Sequence, residues 1–196
     1  SLNAGSLWGR PFYILREAWN ILNAIAEGKI ESGDEKKLNA LKGETMAVIA
    51  LCQFDLTRCF GYPYTKDNGA SLGAPLIDHL VGTYENPSRS TVAQAYDFII
   101  ETLEEAVTLM SEEKNNGRMN KYAARALLAR VYLYHNDNRK AFDMAEQLIK
   151  DVDASGSYAL YPHEKYVAAW SVETKFGSES FFEIANSVDD TPGRDS

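Results

Sequence analysis

The sequence predicts a mainly α fold built of tetratricopeptide-like helical hairpins, with a long inserted loop and a short β element near the C-terminus. Three observations support this. The stretch from Gly117 to Val152 holds two helix-length segments joined by a tight turn, with small residues placed for close packing. Apolar residues recur at three- and four-residue intervals through most of the rest. Between them, residues Tyr62 to Pro87 show no helical period and are punctuated by glycines and prolines.

In the first half of the Gly117–Val152 stretch only Arg125 and Arg130 are charged between Tyr122 and Tyr134. A helix apolar on almost every side has to lie between other layers. Asn136, Asp137 and Asn138 supply turn and N-cap chemistry. The second helix then carries Ala141, Phe142, Ala145, Leu148, Ile149 and Val152 on one face, leaving Lys140, Asp143, Glu146 and Lys150 for water. Small residues at Ala129 and Ala141, with Leu128 and Tyr132 nearby, give the spacing of a tetratricopeptide-like pair.

Taken in order, Phe12, Leu15, Ala18, Trp19, Leu22, Ile25 and Ala26 mark a first helix that Gly28 closes. Asn20 and Asn23 lie inside it, where Asn is a poor helix former, and are expected to tie the helix to a neighbouring loop. After a turn at Glu31–Glu35, a long helix repeats Leu38, Leu41, Thr45, Val48, Cys52, Leu56 and Cys59 and stops at Phe60-Gly61. The excursion from Tyr62 to Pro87 is too long to be a simple connection, and such loops are usually functional or disordered. Ser88–Thr91 caps a third helix with Val92, Ala95, Tyr96, Ile99, Leu103, Ala106 and Leu109-Met110 on its apolar face. Beyond Ser155-Gly156, Tyr158–Tyr161 is extended and Ser180–Ala185 is a strand candidate.

Composition narrows the function. With 45% hydrophobic residues in 196, the chain can bury a sizeable core. A formal net charge of -8 with scattered Lys and Arg argues against nucleic acid, which requires a basic stripe. The two cysteines, Cys52 and Cys59, fall about 10 Å apart along one helix, too far for a bridge, and read as core thiols. No run of apolar residues is long enough for a membrane helix. His79, His135 and His163 lack zinc spacing. Asp151, Asp153, Ser155 and Gly156 mimic the opening of a calcium loop, but its twelfth position is Pro162 where a bidentate Glu belongs. Adjacent acids such as Glu104-Glu105 do not converge as a glycosidase pair must. No catalytic residue, metal site or cofactor is therefore expected.

Aromatic side chains are the better guide, because a sugar's C–H face stacks on a ring while nearby polar groups bind its hydroxyls. Tyr62, Tyr64 and Tyr84 flank or lie within the excursion and are the candidate ligand-binding residues. The alternative for each is that it packs the loop onto the helices.

Several motifs fall in one order. Trp8, Tyr13 and Asn20 come first; then Gly43-Glu44, Ala50, Leu56, Phe60-Gly61 and Pro63, with Thr45 where Ala and Ile49 where Arg is usual. Arg89-Ser90, Tyr96, Ile99, Leu103 and Ala106 follow, with Thr102 in place of a common Asp. Gly117-Arg118, Lys121, Ala123-Ala124 and Ala126 to Tyr134 form the closest block, and Glu179, Phe182 and Glu183 end the series. Together they resemble the SusD/RagB family of outer-membrane nutrient-binding lipoproteins. The resemblance implies a non-catalytic, surface-exposed protein of the outer membrane, lipid-anchored through a segment outside this chain. It would bind an oligosaccharide or other nutrient, with glycan the first choice, and lid a TonB-dependent (SusC-like) transporter. Family members are commonly much longer, so residues 1–196 read as a single helical domain lacking most of the C-terminal half. The alternative reading is a tetratricopeptide-like scaffold for protein contacts that binds no small molecule. On the first reading the excursion from Tyr62 to Pro87 is expected to contribute to cargo or transporter contact, so deleting Asn68–Gly82 should spare the helices while weakening nutrient binding or transporter co-purification.

Overall fold

The computed structural model describes residues 4–30, 32–114, 116–170 and 176–184. Among the described residues five long helices follow one another, α1 (Ala4–Ala26), α2 (Glu35–Phe60), α3 (Val92–Leu109), α4 (Lys121–Tyr134) and α5 (Asn138–Ser155), with a single turn α6 (Tyr166–Ala169) after them. Each of α2 to α5 packs on the helix before it. The main core joins α2, α3 and α4 through Ala47, Phe54, Ile99, Leu103, Leu128 and Val131. A second cluster lies between α1 and α2 around Leu15, Ala18, Ile49 and Leu56. Ile49 is buried within this apolar cluster, where an ionic side chain would have no partner.

Local chemistry sets the helix ends. α1 starts two turns before Phe12, because Pro11 sits inside the helix and does not open it. A proline removes one ladder bond and so reads as a boundary, yet here the helix runs through it. At the other end Gly28 has φ +68, Lys29 N donates to Ala24 O at 2.9 Å and Gly28 N to Ile25 O at 3.0 Å. This left-handed residue with its paired bonds satisfies the last carbonyls. Asn136 does the same for α4 at φ 69, with Asp137 N on Tyr132 O at 2.9 Å. Asp137 then caps α5 by accepting from Lys140 N at 3.1 Å. α3 begins with a capping box, in which Thr91 Oγ1 accepts from Gln94 N and the Gln94 side chain accepts from Thr91 N.

α4 is the most enclosed of the five, with eight of its fourteen residues buried against three of eighteen in α5. Its apolar surface is not buried all round, since Leu133 and Tyr134 emerge at its end. Arg125 is itself buried and joins α4 to α5 through Asp151 at 2.6 Å. On α5 Ala141, Leu148 and Val152 are buried and Met144 packs partly buried against the main core, while Phe142 and Ile149 stay exposed.

The β structure is a two-stranded antiparallel ribbon, β1 (Leu72–Pro75) with β2 (Arg89–Thr91), pairing Leu72 with Thr91 and Pro75 with Arg89. It closes the base of the excursion, which is therefore less irregular than its composition suggests. No strand forms at residues 180–184, and Ala185 lies outside the described residues. That segment is held by single bonds instead, Ala159 N to Ser178 O at 3.1 Å and Phe176 N to Glu183 Oε2 at 3.0 Å, with Phe181 edge-on to Tyr158 at 4.9 Å. Hydrophobic alternation alone cannot make a strand without a neighbouring edge to pair with.

Candidate binding surface

The excursion is fastened from beneath. Ala74 and Ile77 plug the α1–α2 cluster, and Gln53, fully buried on α2, reaches them with its amide: Nε2 donates to Pro75 O at 3.1 Å and Oε1 accepts from Ile77 N at 3.4 Å. Trp19 Nε1 donates to Ile77 O at 3.2 Å. The tie from α1 to a loop thus comes from Trp19, and Asn20 is exposed. Arg89 locks the ribbon by donating from Nε to Gly73 O at 2.7 Å and from its terminal nitrogen to Leu72 O at 2.8 Å.

A tight turn precedes the ribbon. Asn68 and Gly69 both have positive φ, 56 and 74. A Cβ on Gly69 would lie 2.7 Å from Ala93 N and 2.8 Å from the Tyr64 ring, so glycine is required there. Gly69 O and Ser71 O accept from Ala93 N and Val92 N, both at 2.9 Å, filling donors that a helix start leaves open. Ser71 Oγ donates to Asp67, whose carboxyl is held below its ordinary range chiefly by that bond. Excising residues 68–82 would remove Gly69, β1, Ala74 and Ile77 together and orphan Gln53. The segment is part of the core and cannot be cut away neutrally.

Above this base, residues 78–85 are organised by His79, which lies between Asp78 Oδ1 at 2.6 Å and Glu85 Oε1 at 2.7 Å. Glu85 Oε2 also accepts from Gly82 N at 3.1 Å. Bonds to Asp78 and then Glu85 raise the His79 pKa above its usual 6.5, and Glu85 is lowered by the Gly82 amide and His79.

The three candidate tyrosines part company here. Tyr84 stands 96% exposed at the outer bend, and Tyr62 is 56% exposed with the Lys66 ammonium 3.0 Å from its ring centre. Tyr64 is turned inward, edge-on to Tyr96 at 5.7 Å and tilted on His135 at 4.3 Å. Gln53 and His79 are contributors that the sequence reading passed over. A lone amide among Ile49, Cys52, Phe54 and Leu56 is the signal that could have flagged Gln53.

The Asp151–Gly156 run is no calcium loop. It lies in the last turns of α5 and its C-cap, with Asp151 bonded to Arg125 and to Gln147 Nε2 at 2.9 Å, and Ser155 Oγ donating to Val152 O at 2.8 Å. Among the described residues no group of three or more His, Cys, Asp or Glu could hold a metal ion, and no helix is long and apolar enough to cross a membrane. Cys52 is buried and its thiol is pushed up to about 11 by that burial, whereas Cys59 is exposed and not a core thiol.

At the opposite end of α2, Glu44 takes Arg118 through two guanidinium nitrogens, one at 2.8 Å, and accepts from Met119 N at 3.0 Å. Gly43 beside it lets α3 approach so closely that a Cβ would stand 2.9 Å from Ala106 O. The Gly43-Glu44 and Gly117-Arg118 motifs are therefore one interlock between helices. A groove of about 970 Å³ opens beside it, floored by Leu38, Leu41, Leu109 and Met110.

The family described as "Starch-binding associating with outer membrane", SusD-like, matches residues 3–133. The chain belongs to the SusD-like family. A SusD superfamily protein from Bacteroides vulgatus is 95% identical over 100% of the chain, with a TM-score of 0.95. One from Bacteroides thetaiotaomicron is 39% identical over 95%, with a TM-score of 0.88. A SusD-like carbohydrate binding protein from Bacteroides vulgatus, 23% identical over 94% with a TM-score of 0.79, shares the fold. The chain spans 44%, 40% and 38% of the lengths of these three proteins. No curated protein sequence matches at a significant level. In this SusD-like chain Gly43-Glu44 and Gly117-Arg118 form an interlock around α2, and the exposed rings of Tyr62 and Tyr84 lie on the excursion between α2 and α3.

Proposed function

We propose that this SusD-like chain is the helical part of a non-catalytic glycan-capture protein of the outer-membrane surface, and that Tyr62 and Tyr84 present the ring faces on which the sugar stacks. The supporting observation is the combination of a firmly anchored base with exposed aromatics above it. Gln53, Trp19 and Arg89 fix the backbone, so little order has to be created when a ligand arrives. Tyr64 supports this surface from within through Tyr96 and His135. The family's description supports a starch-like glycan as the ligand class and the outer membrane as the location. On this proposal a TonB-dependent transporter is the partner to which captured glycan would pass.

The test uses the longer protein that contains this chain. Tyr62→Ala and Tyr84→Ala are titrated with starch-derived oligosaccharides and screened on a glycan array, with circular dichroism as the folding control. Losing one stacking contact of about 0.5–1.5 kcal/mol predicts roughly 2- to 13-fold weaker binding for each. Unchanged affinity in both would remove the tyrosines from the site. Absence of any glycan binding by the parent protein, alongside co-purification with a protein partner, would favour the scaffold reading.

A further inference from the structure

The excursion reaches its outer turn through one ionisable side chain. Ile77 is fixed at its amide by Gln53 and at its carbonyl by Trp19. Two residues on, the His79 ring lies between two carboxylates, with Nδ1 2.6 Å from Asp78 Oδ1 and Nε2 2.7 Å from Glu85 Oε1. Glu85 closes a four-residue turn twice: its amide donates to Gly82 O at 3.1 Å, and its Oε2 accepts from Gly82 N at 3.1 Å. Thr83 and Tyr84 are the central residues of that turn, and the Tyr84 ring projects from it into solvent. Val81, between the two halves, rests on the α1–α2 cluster. A chain of contacts thus runs from buried Gln53 through Ile77 and His79 to the turn that displays Tyr84.

A neutral imidazole has one N–H and one lone pair, whereas the imidazolium donates from both nitrogens. Only the charged ring satisfies both carboxylates, and among the described residues Asp78 and Glu85 are the charged groups that face it. Losing the proton sets a lone pair against one carboxylate at hydrogen-bond distance, so one of the two contacts has to open. Asp78 is the sequence neighbour of His79 and stays beside it; Glu85, six residues on, is free to leave with its turn. Resting on the glycan reading above, we propose that His79 is a positioning residue: protonated, it clamps the 82–85 turn and holds Tyr84 in place for the sugar ring, and deprotonated, it lets that turn go, so that capture through Tyr84 weakens as pH rises. The direction follows from the bonds to Asp78 and Glu85, which raise the His79 pKa. The clamp is complete below the ordinary value of 6.5 and is lost as pH rises through the higher folded value. Tyr62 lies outside the clamp, with Lys66 against its ring, and its contact carries no such dependence.

The experiment uses the longer protein that contains this chain, with maltoheptaose as the probe and affinities measured by calorimetry at about pH 5.5 and about pH 9. The parent should bind more tightly at the lower pH, by no more than the roughly 2- to 13-fold that one stacking contact supplies. His79→Gln should show the weaker affinity at both values. Tyr84→Ala should lose the pH dependence and Tyr62→Ala should keep it. Equal parent affinities at the two values, or a dependence that persists in His79→Gln or Tyr84→Ala, overturn the switch while leaving glycan capture intact. A measurement without glycan keeps the two readings apart: NMR order parameters of the Gly82 and Glu85 amides should fall with rising pH in the parent and stay low and flat in His79→Gln. Flat values in the parent overturn the switch whatever the glycan does. If they fall as expected but maltoheptaose binds at neither pH and no glycan on the array binds, glycan capture itself fails, and its proposed regulation falls with it.

Discussion

Gln53 shows how one side chain can decide the path of a long loop. Fully buried on α2, it donates through Nε2 to Pro75 O and accepts through Oε1 from Ile77 N, so its amide meets both polarities of the loop backbone. Leaving either backbone group unpaired in that position would cost about 1–3 kcal/mol, enough to select one loop path over its alternatives. His79 acts farther out, where solvent screens its contacts but geometry still favours the imidazolium between Asp78 and Glu85. Its pKa is raised in the folded chain, so its contribution to loop order is complete below its ordinary 6.5 and is lost as pH rises through the higher folded value. Residues 78–85 should therefore loosen on the alkaline side. In an NMR titration the His79 ring resonance is expected to have a midpoint above 6.5, and Asp78→Asn should lower it; a midpoint at or below 6.5 in the parent would refute the clamp. At this scale the sequence displays an aromatic's presence and not its orientation. Tyr62, Tyr64 and Tyr84 look alike in the chain, and only the placement of Tyr96 and His135 turns Tyr64 inward.

Among elements, helices were legible where periodicity met capping chemistry. The stops at Gly28 and Gly156 and the turn at Asn136 follow from residues that tolerate left-handed backbone angles, whereas Gly61 is extended and is needed because a Cβ there would stand 2.7 Å from Thr57 O. The start of α1 was hidden because Pro11 mimics a boundary, and β1 was hidden because it is short and finds its partner only across the excursion, at Arg89–Thr91. The strand expected at residues 180–184 shows the converse, since the pattern exists but no edge is available. Gly43 concerns neither periodicity nor caps, and its role is visible only once α3 is placed. A methyl there would stand 2.7 Å from Met110 Cγ and 2.9 Å from Ala106 O. The Met side chain can move, but the Ala106 carbonyl cannot without shifting α3. Gly43→Ala gains about 1 kcal/mol in helix propensity and loses about 1–3 kcal/mol to overpacking. The expected result in urea unfolding is a net destabilisation of up to about 2 kcal/mol. A more stable variant would show that the α2–α3 contact is looser than the structure indicates.

For the whole molecule, burial is distributed unevenly along the stack. The largest fully buried side chains are concentrated in α2, α3 and α4, including Phe54, Ile99, Leu103, Leu128 and Val131. The region after α5 contrasts with them, because Leu160, Val167 and Trp170 are 86%, 83% and 76% exposed. Local opening is easiest where few apolar contacts have to be broken, and the most protected amides report the global unfolding free energy. Hydrogen exchange of this chain should thus be slowest in the centres of α2, α3 and α4 and fastest in residues 159–170. The outer half of the excursion, residues 78–86, should also exchange fast, whereas Ile77 should be slow because its amide is bonded to a buried glutamine. That contrast between neighbours separates an anchored loop from a merely ordered one. Exchange at Ile77 as rapid as at Tyr84 would mean that the base of the excursion opens independently of the helices, and the rigid support proposed for the tyrosine surface would be lost with it.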